Sequence, residues 1–238
     1  MALSDLSTVP ILKTYAIIVA GGSGTRMHST VPKQFLPLDG KPVLMHTIAA
    51  FHNCEAEPHI ILALHADFHD YWKELCSEHN FDVPHQLITG GDTRFHSVKN
   101  GLNLIRDDEN TIIAIHDAVR PLTTREVIDE SYRYAAEYGN AIAAVKSRDS
   151  VRQLQDSHSI ALQREEIYMI QTPQTFQARQ LKKAYEQHYS PKFTDDASVV
   201  EQSGMPIYLI SGSYQNFKIT FPEDIAIAEL LLAKKLVS

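Results

Sequence analysis

Arg26 and Lys33 flank a glycine-rich turn, Ala20-Gly21-Gly22-Ser23-Gly24-Thr25-Arg26-Met27, which is followed closely by Pro32-Lys33-Gln34. Three glycines in four positions let the backbone turn sharply and approach a ligand closely. Successive N–H groups aimed one way cradle an anion. Two fixed positive charges on the same loop suit a polyphosphate, whose charge grows during group transfer. Two familiar phosphate loops fit poorly. The P-loop places Lys-Ser/Thr directly after its last glycine, where this chain has Thr25-Arg26. The dinucleotide fingerprint needs a glycine at position 27, which is Met.

Three further groups have chemistry to offer. Gly90-Gly91-Asp92 can present backbone and carboxylate groups to a base edge, with Ser97 one turn into the helix that follows; the plainer reading is a helix start capped by Asp92. Asp117 closes the apolar run Thr111–His116, and open α/β sheets place ligand chemistry at such strand ends. It can hold a magnesium-bound phosphate or a substrate hydroxyl, and Arg120 a phosphate or hydroxyl; the alternative is an internal Asp117–Arg120 ion pair. Lys218 interrupts the apolar alternation of Phe217 and Ile219, and because an unpaired buried lysine is costly, it requires an anionic partner.

These residues must be positioned by alternating strands and helices. Ala16 to Val19 reads as a buried strand, Pro42 to Phe51 as a helix, and His59 to Leu64 as a second strand. Asp67 caps a helix from Phe68 to His79, and His85 to Thr89 is a short third strand. The fourth strand, Thr111 to His116, leads into a Thr123–Glu126 capping box and a helix to Tyr138 closed by Gly139. The fifth is Ala141 to Val145. Tyr168–Phe176 returns to the core through the rigid Thr172-Pro173-Gln174 turn. Thr194 is placed to cap a short helix to Ser203, with Gly204 as its stop. Ile207–Ile210 and Asn216–Thr220 read as strands, and Pro222 opens a helix from Glu223 to Leu236. The pattern predicts an α/β, Rossmann-like, mostly parallel sheet with helices on both faces, in one domain over residues 1–238.

Residues 145–166 differ in character. They are polar, with a turn signal at Asp156–Ser159, and Val151–Gln155 can pair with Ile160–Arg164 as a hairpin arm. Two strands alone are marginal in water, so the arm is expected to pack on a second subunit. Composition sets outer bounds. The chain has 238 residues and a formal charge of -7, which argues against a general nucleic-acid or membrane-surface binder. An anionic ligand must therefore meet a local positive pocket. Cys54 and Cys76 lack metal spacing and fit a reducing cytoplasm. Residues 1–13 lack the features of a signal peptide, and no run is long and apolar enough to span a bilayer.

Taken in order, the glycine loop, Pro32-Lys33-Gln34, Gly90-Gly91 with Arg94 and Ser97, Asp117 with Arg120-Pro121, Thr172-Pro173-Gln174, Thr194-Asp195-Asp196-Ala197 and Lys218-Ile219-Thr220 resemble the nucleotidyltransferases that activate polyol phosphates. The chain is most similar to the 2-C-methyl-D-erythritol 4-phosphate cytidylyltransferase family of isoprenoid synthesis. The resemblance implies a cytoplasmic, magnesium-using homodimer that joins CTP to the polyol phosphate and releases pyrophosphate. It implies Arg26 and Lys33 on the triphosphate and its transition state. Ala20, Gly21, Gly22, Gly24, Gly91, Asp92 and Ser97 would hold the nucleotide. Asp117, Arg120, Thr172, Thr194 and Lys218 would face the acceptor, with Ser150 and Arg164 supplied by the partner's arm. Where the family often has Pro-Val before the arm, this chain has Lys146-Ser147-Arg148-Asp149-Ser150, and Gly21 stands where alanine is frequent. A ribitol 5-phosphate cytidylyltransferase and a non-catalytic nucleotide-binding protein are the competing readings.

Overall fold

The computed structural model describes residues 12–20, 31–106 and 110–235. Gly21, Gly22, Gly24 and Arg26 lie outside the described residues.

The first strand, β1 (Lys13–Ala20), is an interior strand of a seven-stranded sheet. The small ribbon of β2 (Pro37–Leu38) and β3 (Lys41–Pro42) leads into α1 (Val43–His52), then β4 (His59–Leu64), α2 (His69–Glu78), β5 (Gln86–Thr89) and α3 (Arg94–Leu102). β6 (Thr111–Asp117), α4 (Arg125–Tyr138) and β7 (Asn140–Lys146) follow. Strands β8 (Arg152–Gln155) and β9 (His158–Ala161) form the arm, and β10 (Tyr168–Gln177), α5 (Ala178–Ala184), α6 (Asp196–Gln202), β11 (Leu209–Ser211) and α7 (Glu223–Lys235) complete the chain.

The sheet order is β11-β7-β10-β6-β1-β4-β5. All neighbours are parallel except β10, which runs antiparallel to both β6 and β7. Alternate residues of a strand face opposite sides. Ala16, Ile18 and Ala20 accordingly join one core with Ile48, Phe51, Trp72 and Ile128, while Ile17 and Val19 join the other with Phe95, Val98, Leu102 and Phe176. Both faces are covered, which is why β1 and β6 read as continuous apolar runs. The chain builds outward from β1 to β4 and β5, then returns to β6 on the opposite side of β1. That reversal opens a crevice at the carboxyl ends of β1 and β6, where Ala20 and Asp117 stand.

Several local expectations are corrected. Thr93, not Asp92, caps α3: its side chain accepts from His96 N–H. Helix α4 is capped by Thr124, because the hydroxyl of Thr123 turns inward to Asn216. The cap of α6 is Asp195, in a reciprocal capping box with Ser198, so Thr194 is one residue too early. His65 accepts from Asp67 N–H in a short 3-10 turn before α2, displacing Asp67 as the cap. Asn216–Thr220 forms no strand: Ile219 N–H donates to Val119 O (2.9 Å), yet the carbonyl of Asn216 is taken by the Arg120 guanidinium, which leaves no ladder to extend. Thr172-Pro173-Gln174 lies inside β10, where the Thr172–Pro173 bond is cis and the register against β7 shifts.

The arm forms with a tighter register than the sequence suggested. Arg152 pairs with Ala161 and Gln155 with His158, so the turn is Asp156-Ser157, and Asp156 adopts φ 49. Arg164 falls in a 3-10 turn (Arg164–Glu166) beyond the second strand. Leu154 is 75% exposed, and Ile160 on the paired strand is exposed too, as are Tyr168, Met169 and Ile170 at the start of β10. At the root, the Arg148 guanidinium stacks 3.5 Å over the Tyr214 ring, whose hydroxyl donates to Lys146 O (3.0 Å).

Candidate active site

The crevice at the switch point is a cavity of about 350 Å³ lined by Ala20, Lys33, Gln34, Asp92, Arg94, Asp117 and Lys218 among others. Five separate stretches of chain reach it. Pro32 leads into a 3-10 turn, Lys33–Phe35, that buries Lys33 and Gln34 at the lip of β1. Gln34 Nε2 donates to Ala20 O (3.1 Å), fixing the last residue of β1. Lys33 Nζ donates to Ile219 O (3.1 Å), which couples the first loop to the last one.

Asp117 is the hub. Its Oδ1 accepts from Arg94 Nε (3.3 Å), and its Oδ2 pairs with Lys218 Nζ (3.0 Å). Arg120 Nε approaches Oδ2 at 3.5 Å, an ion pair lacking the alignment of a hydrogen bond. Burial alone would push the Asp117 carboxyl up. The Arg94, Lys218 and Arg120 charges outweigh burial and hold it well below the usual carboxylate range. The backbone of Asp117 is pinned as well, its N–H donating to Thr172 Oγ1 (3.1 Å).

Arg94 is bound on both sides. Its Nη2 donates to Asp196 Oδ2 (2.6 Å), and Asp196, fully buried, also accepts from the Tyr185 hydroxyl (2.6 Å). Burial pushes the Tyr185 hydroxyl up, and the Asp196 charge adds to it, so the phenol stays a donor. This Asp117–Arg94–Asp196–Tyr185 chain ties the end of β6 to the starts of α3 and α6. Sequence reasoning quoted Arg94 and Asp196 inside motifs without giving either a role, and only the partner geometry supplies one. His116, one residue before the hub, is fully buried against Phe51, and burial pushes its imidazole down to about 3. It is neutral throughout the ordinary pH range.

Beside the cavity, Ser97 Oγ accepts from Gly91 N–H (3.0 Å) and donates to Thr93 O (3.0 Å). The hydroxyl is fully buried and shapes the 90–93 loop, leaving Asp92 exposed at the cavity wall. Gly91 fits only as glycine, since a Cβ there would lie 2.4 Å from His96 Cβ.

The predicted site residues therefore divide. Ala20, Lys33, Asp92, Asp117 and Lys218 line one cavity. Arg120, Thr172, Gly91 and Ser97 support it from behind. Thr194 is exposed and outside the cavity wall, two residues ahead of Asp196. Ser150 and Arg164 are exposed at the arm, where the Arg164 guanidinium donates to Arg148 O (3.4 Å) and Glu165 Oε1 (3.2 Å). Asp117 does not fit as a metal ligand: its carboxylate is already compensated by three cations, which would repel a dication. Among the described residues, no group of three or more His, Cys, Asp or Glu gathers for a metal.

Residues 14–234 match the family model described as IspD, 2-C-methyl-D-erythritol 4-phosphate cytidylyltransferase. This chain belongs to that family. It is 49% identical over 217 residues to the protein of that name from Bacteroides fragilis, covering 91% of this chain and 98% of the relative. It is 48% identical to the Bacteroides thetaiotaomicron protein of the same name, covering 93% and 100%. Among solved structures, the 4-diphosphocytidyl-2C-methyl-D-erythritol synthase of Anaerococcus prevotii superposes with a TM-score of 0.79 at 28% identity, covering 93% of this chain and 96% of that one. The Francisella tularensis cytidylyltransferase of this family gives 0.75 at 31% identity, covering 92% and 99%. Membership accounts for an overall acidic chain that collects Lys33, Arg94 and Lys218 at one crevice: the family's named chemistry brings two phosphate-bearing molecules together.

Proposed function

We propose that this chain joins CTP to 2-C-methyl-D-erythritol 4-phosphate, giving 4-diphosphocytidyl-2-C-methyl-D-erythritol and pyrophosphate, in the cytoplasm as a step of isoprenoid precursor synthesis. The observation that carries the reading is the convergence of Lys33 and Lys218 on one cavity at the carboxyl ends of β1 and β6.

A phosphate oxygen of the acceptor attacks the α-phosphorus of CTP. The new O–P bond forms as the bond to the β-phosphate oxygen breaks, and pyrophosphate leaves with that electron pair. The nucleophile is already an anion, so no general base is required, and the work is positioning and charge neutralisation. Arg26 and Lys33 act on the triphosphate and on the charge that builds during transfer. Backbone of Ala20, Gly21, Gly22 and Gly24, with Gly91 and Asp92, holds the nucleotide, and Ser97 keeps the 90–93 loop in shape. Lys218 and Arg120 take the acceptor side, steadied by Asp117 and Thr172, with Thr194 near the acceptor hydroxyls. Magnesium is expected to accompany the triphosphate. Because Asp117 is a poor ligand for it, no step here is assigned to a metal.

A pyrophosphate-release assay with CTP tests the reading, run with methylerythritol phosphate and ribitol phosphate side by side. Release with the first acceptor is the expected result. Release with ribitol phosphate alone reassigns the acceptor, and no release with either leaves a binding module. Gly91→Ala is expected to raise the KM for CTP by about tenfold or more with a smaller change in kcat, since the added methyl forces the 90–93 loop off His96. An unchanged KM would remove that loop from nucleotide recognition.

The arm completes the neighbouring site of a homodimer. Its exposed Leu154 and Ile160, and the absence of a core of its own, support this role. Neither Arg164→Ala nor Lys33→Ala homodimers should turn over appreciably. A heterodimer of the two holds one site with Lys33 in one subunit and Arg164 arriving from the other. About half of the wild-type activity per heterodimer is expected, and no recovery above the homodimers would place Arg164 outside the partner's site.

A further inference from the structure

Lys218 stands on a short span between two anchors, and the first of them has no assigned role. The second anchor is Ile219, buried in a small apolar cluster, with its N–H on Val119 O (2.9 Å) and its carbonyl on Lys33 Nζ (3.1 Å). The first is Asn216, fully buried. Its Oδ1 accepts from Thr123 Oγ1 (2.7 Å). Its Nδ2 donates to Thr172 O (2.9 Å) and to Gln171 Oε1 (3.3 Å). Its main-chain carbonyl accepts from Arg120 Nη1 (2.7 Å). The amide orientation follows from these partners: Thr172 O can only accept, so the NH2 group must face it. One side chain thus uses both donors and its acceptor inside the protein, and joins β10, the turn after β6 and the loop that carries Lys218.

We propose that Asn216 is a positioning residue for the acceptor side of the site, acting through Lys218 and Arg120. Its two contacts with Thr172 and Thr123 fix the 216–218 loop at the depth from which Lys218 Nζ reaches Asp117 at 3.0 Å. Its carbonyl sets the distance of Arg120 from the same carboxylate. Thr172 and Thr123 belong to the frame of β6 and β10, and Thr172 also holds Asp117 N–H, so Asn216 references both cations to the hub they pair with. A well-formed buried amide could instead serve stability alone. Asn140 is such a case: it is buried at the far end of β7, where Nδ2 donates to Pro206 O (2.9 Å) and Oδ1 accepts from Tyr208 N–H (2.9 Å), distant from the cavity wall. It supplies the control.

The inference rests on the cytidylyltransferase reading for its kinetics and on an amine-labelling measurement that needs no turnover. Asn216→Ala, Thr123→Val, Thr123→Ser and Asn140→Ala are compared with wild type in the full chain, below their melting temperatures. Asn216→Ala is expected to raise the KM for methylerythritol phosphate, or lower kcat, by about tenfold or more, with the KM for CTP within about threefold. Thr123→Val, the milder change because it keeps the side-chain volume and leaves Asn216 in place, is expected to shift the same constants about threefold or more, and Thr123→Ser, which keeps the hydroxyl, to restore them. Asn140→Ala should lower Tm and leave the kinetic constants alone. In parallel, acetylation of Lys218 by an N-hydroxysuccinimide ester, read by mass spectrometry against Lys73, should accelerate severalfold in Asn216→Ala and Thr123→Val only. If Thr123→Val matches wild type in both kinetics and labelling, or if Asn140→Ala reproduces the kinetic pattern, the positioning role is overturned. If wild-type protein turns over neither acceptor, the catalytic reading falls, and the Lys218 labelling still decides for or against Asn216.

Discussion

Lys33→Ala is expected to lower kcat by about two orders of magnitude or more, equivalent to roughly 2.7 kcal/mol of lost transition-state stabilisation. The residue is 8% exposed, and its ammonium lies at the wall of the cavity that also holds Lys218 and Arg94. A cation fixed in a desolvated site interacts strongly with charge that appears only during transfer, so the loss falls on kcat more than on KM. The same change leaves Ile219 O without its donor and loosens the loop behind Lys218. Lys33→Met separates these effects, because it restores the apolar stem and not the charge. Both variants should be slow, with Lys33→Met nearer to wild type in Tm. Turnover within threefold of wild type in either would exclude Lys33 from the transfer step.

Asp117→Ala should be damaging in a different way. It removes the one carboxylate shared by Arg94, Arg120 and Lys218 and leaves buried guanidinium groups beside one another. Breaking a buried ion pair by deleting one partner costs about 3 kcal/mol or more. Lys218 is more than a third open to solvent, so its share is screened and small. For a chain of this size that loss corresponds to a Tm lower by about 10 °C. Activity should fall by about a hundredfold or more, since Lys218 and Arg120 lose the group that places them. The pH dependence has a defined sign. The Asp117 carboxyl is depressed in the folded state, so its contribution is fully present above the unfolded value of about 3.9 and is lost as pH falls through the lower folded value. The stability gap between wild type and Asp117→Ala should therefore be constant from pH 8 to 5 and shrink only below about pH 4. A gap that closed between pH 7 and 5 would point to a different titrating group.

Much of the fold was legible because it rests on short-range signals. Apolar period two, apolar period 3.6 and turn residues are local properties of the chain, and they placed β1, β4, β6, α4 and α7 close to where they stand. Caps were misplaced by one residue at Asp92, Thr123 and Thr194, because several hydroxyls and carboxylates compete at each helix start. Tertiary partners decide the winner: Asn216 draws Thr123 inward and leaves the cap to Thr124. The apparent strand at Asn216–Thr220 failed for the same reason, its backbone being claimed by Arg120, Val119 and Lys33 before any neighbouring strand could pair with it.

Read alone, the sequence determined that a phosphate-handling loop follows the first strand, that Asp117 ends a buried strand, and that Lys218 requires an anion. It also carried the order of motifs that marks the family. The tertiary structure decided which anion: Asp117 serves Lys218, Arg94 and Arg120 together, and Arg94 is held in turn by Asp196. These partners are far apart in the chain, with 102 positions between Arg94 and Asp196 and 186 between Lys33 and Ile219. Periodicity and capping propensity act over a few residues and cannot report such pairings. They are set by the reversal of strand order at β1, which brings the ends of distant segments to a single crevice.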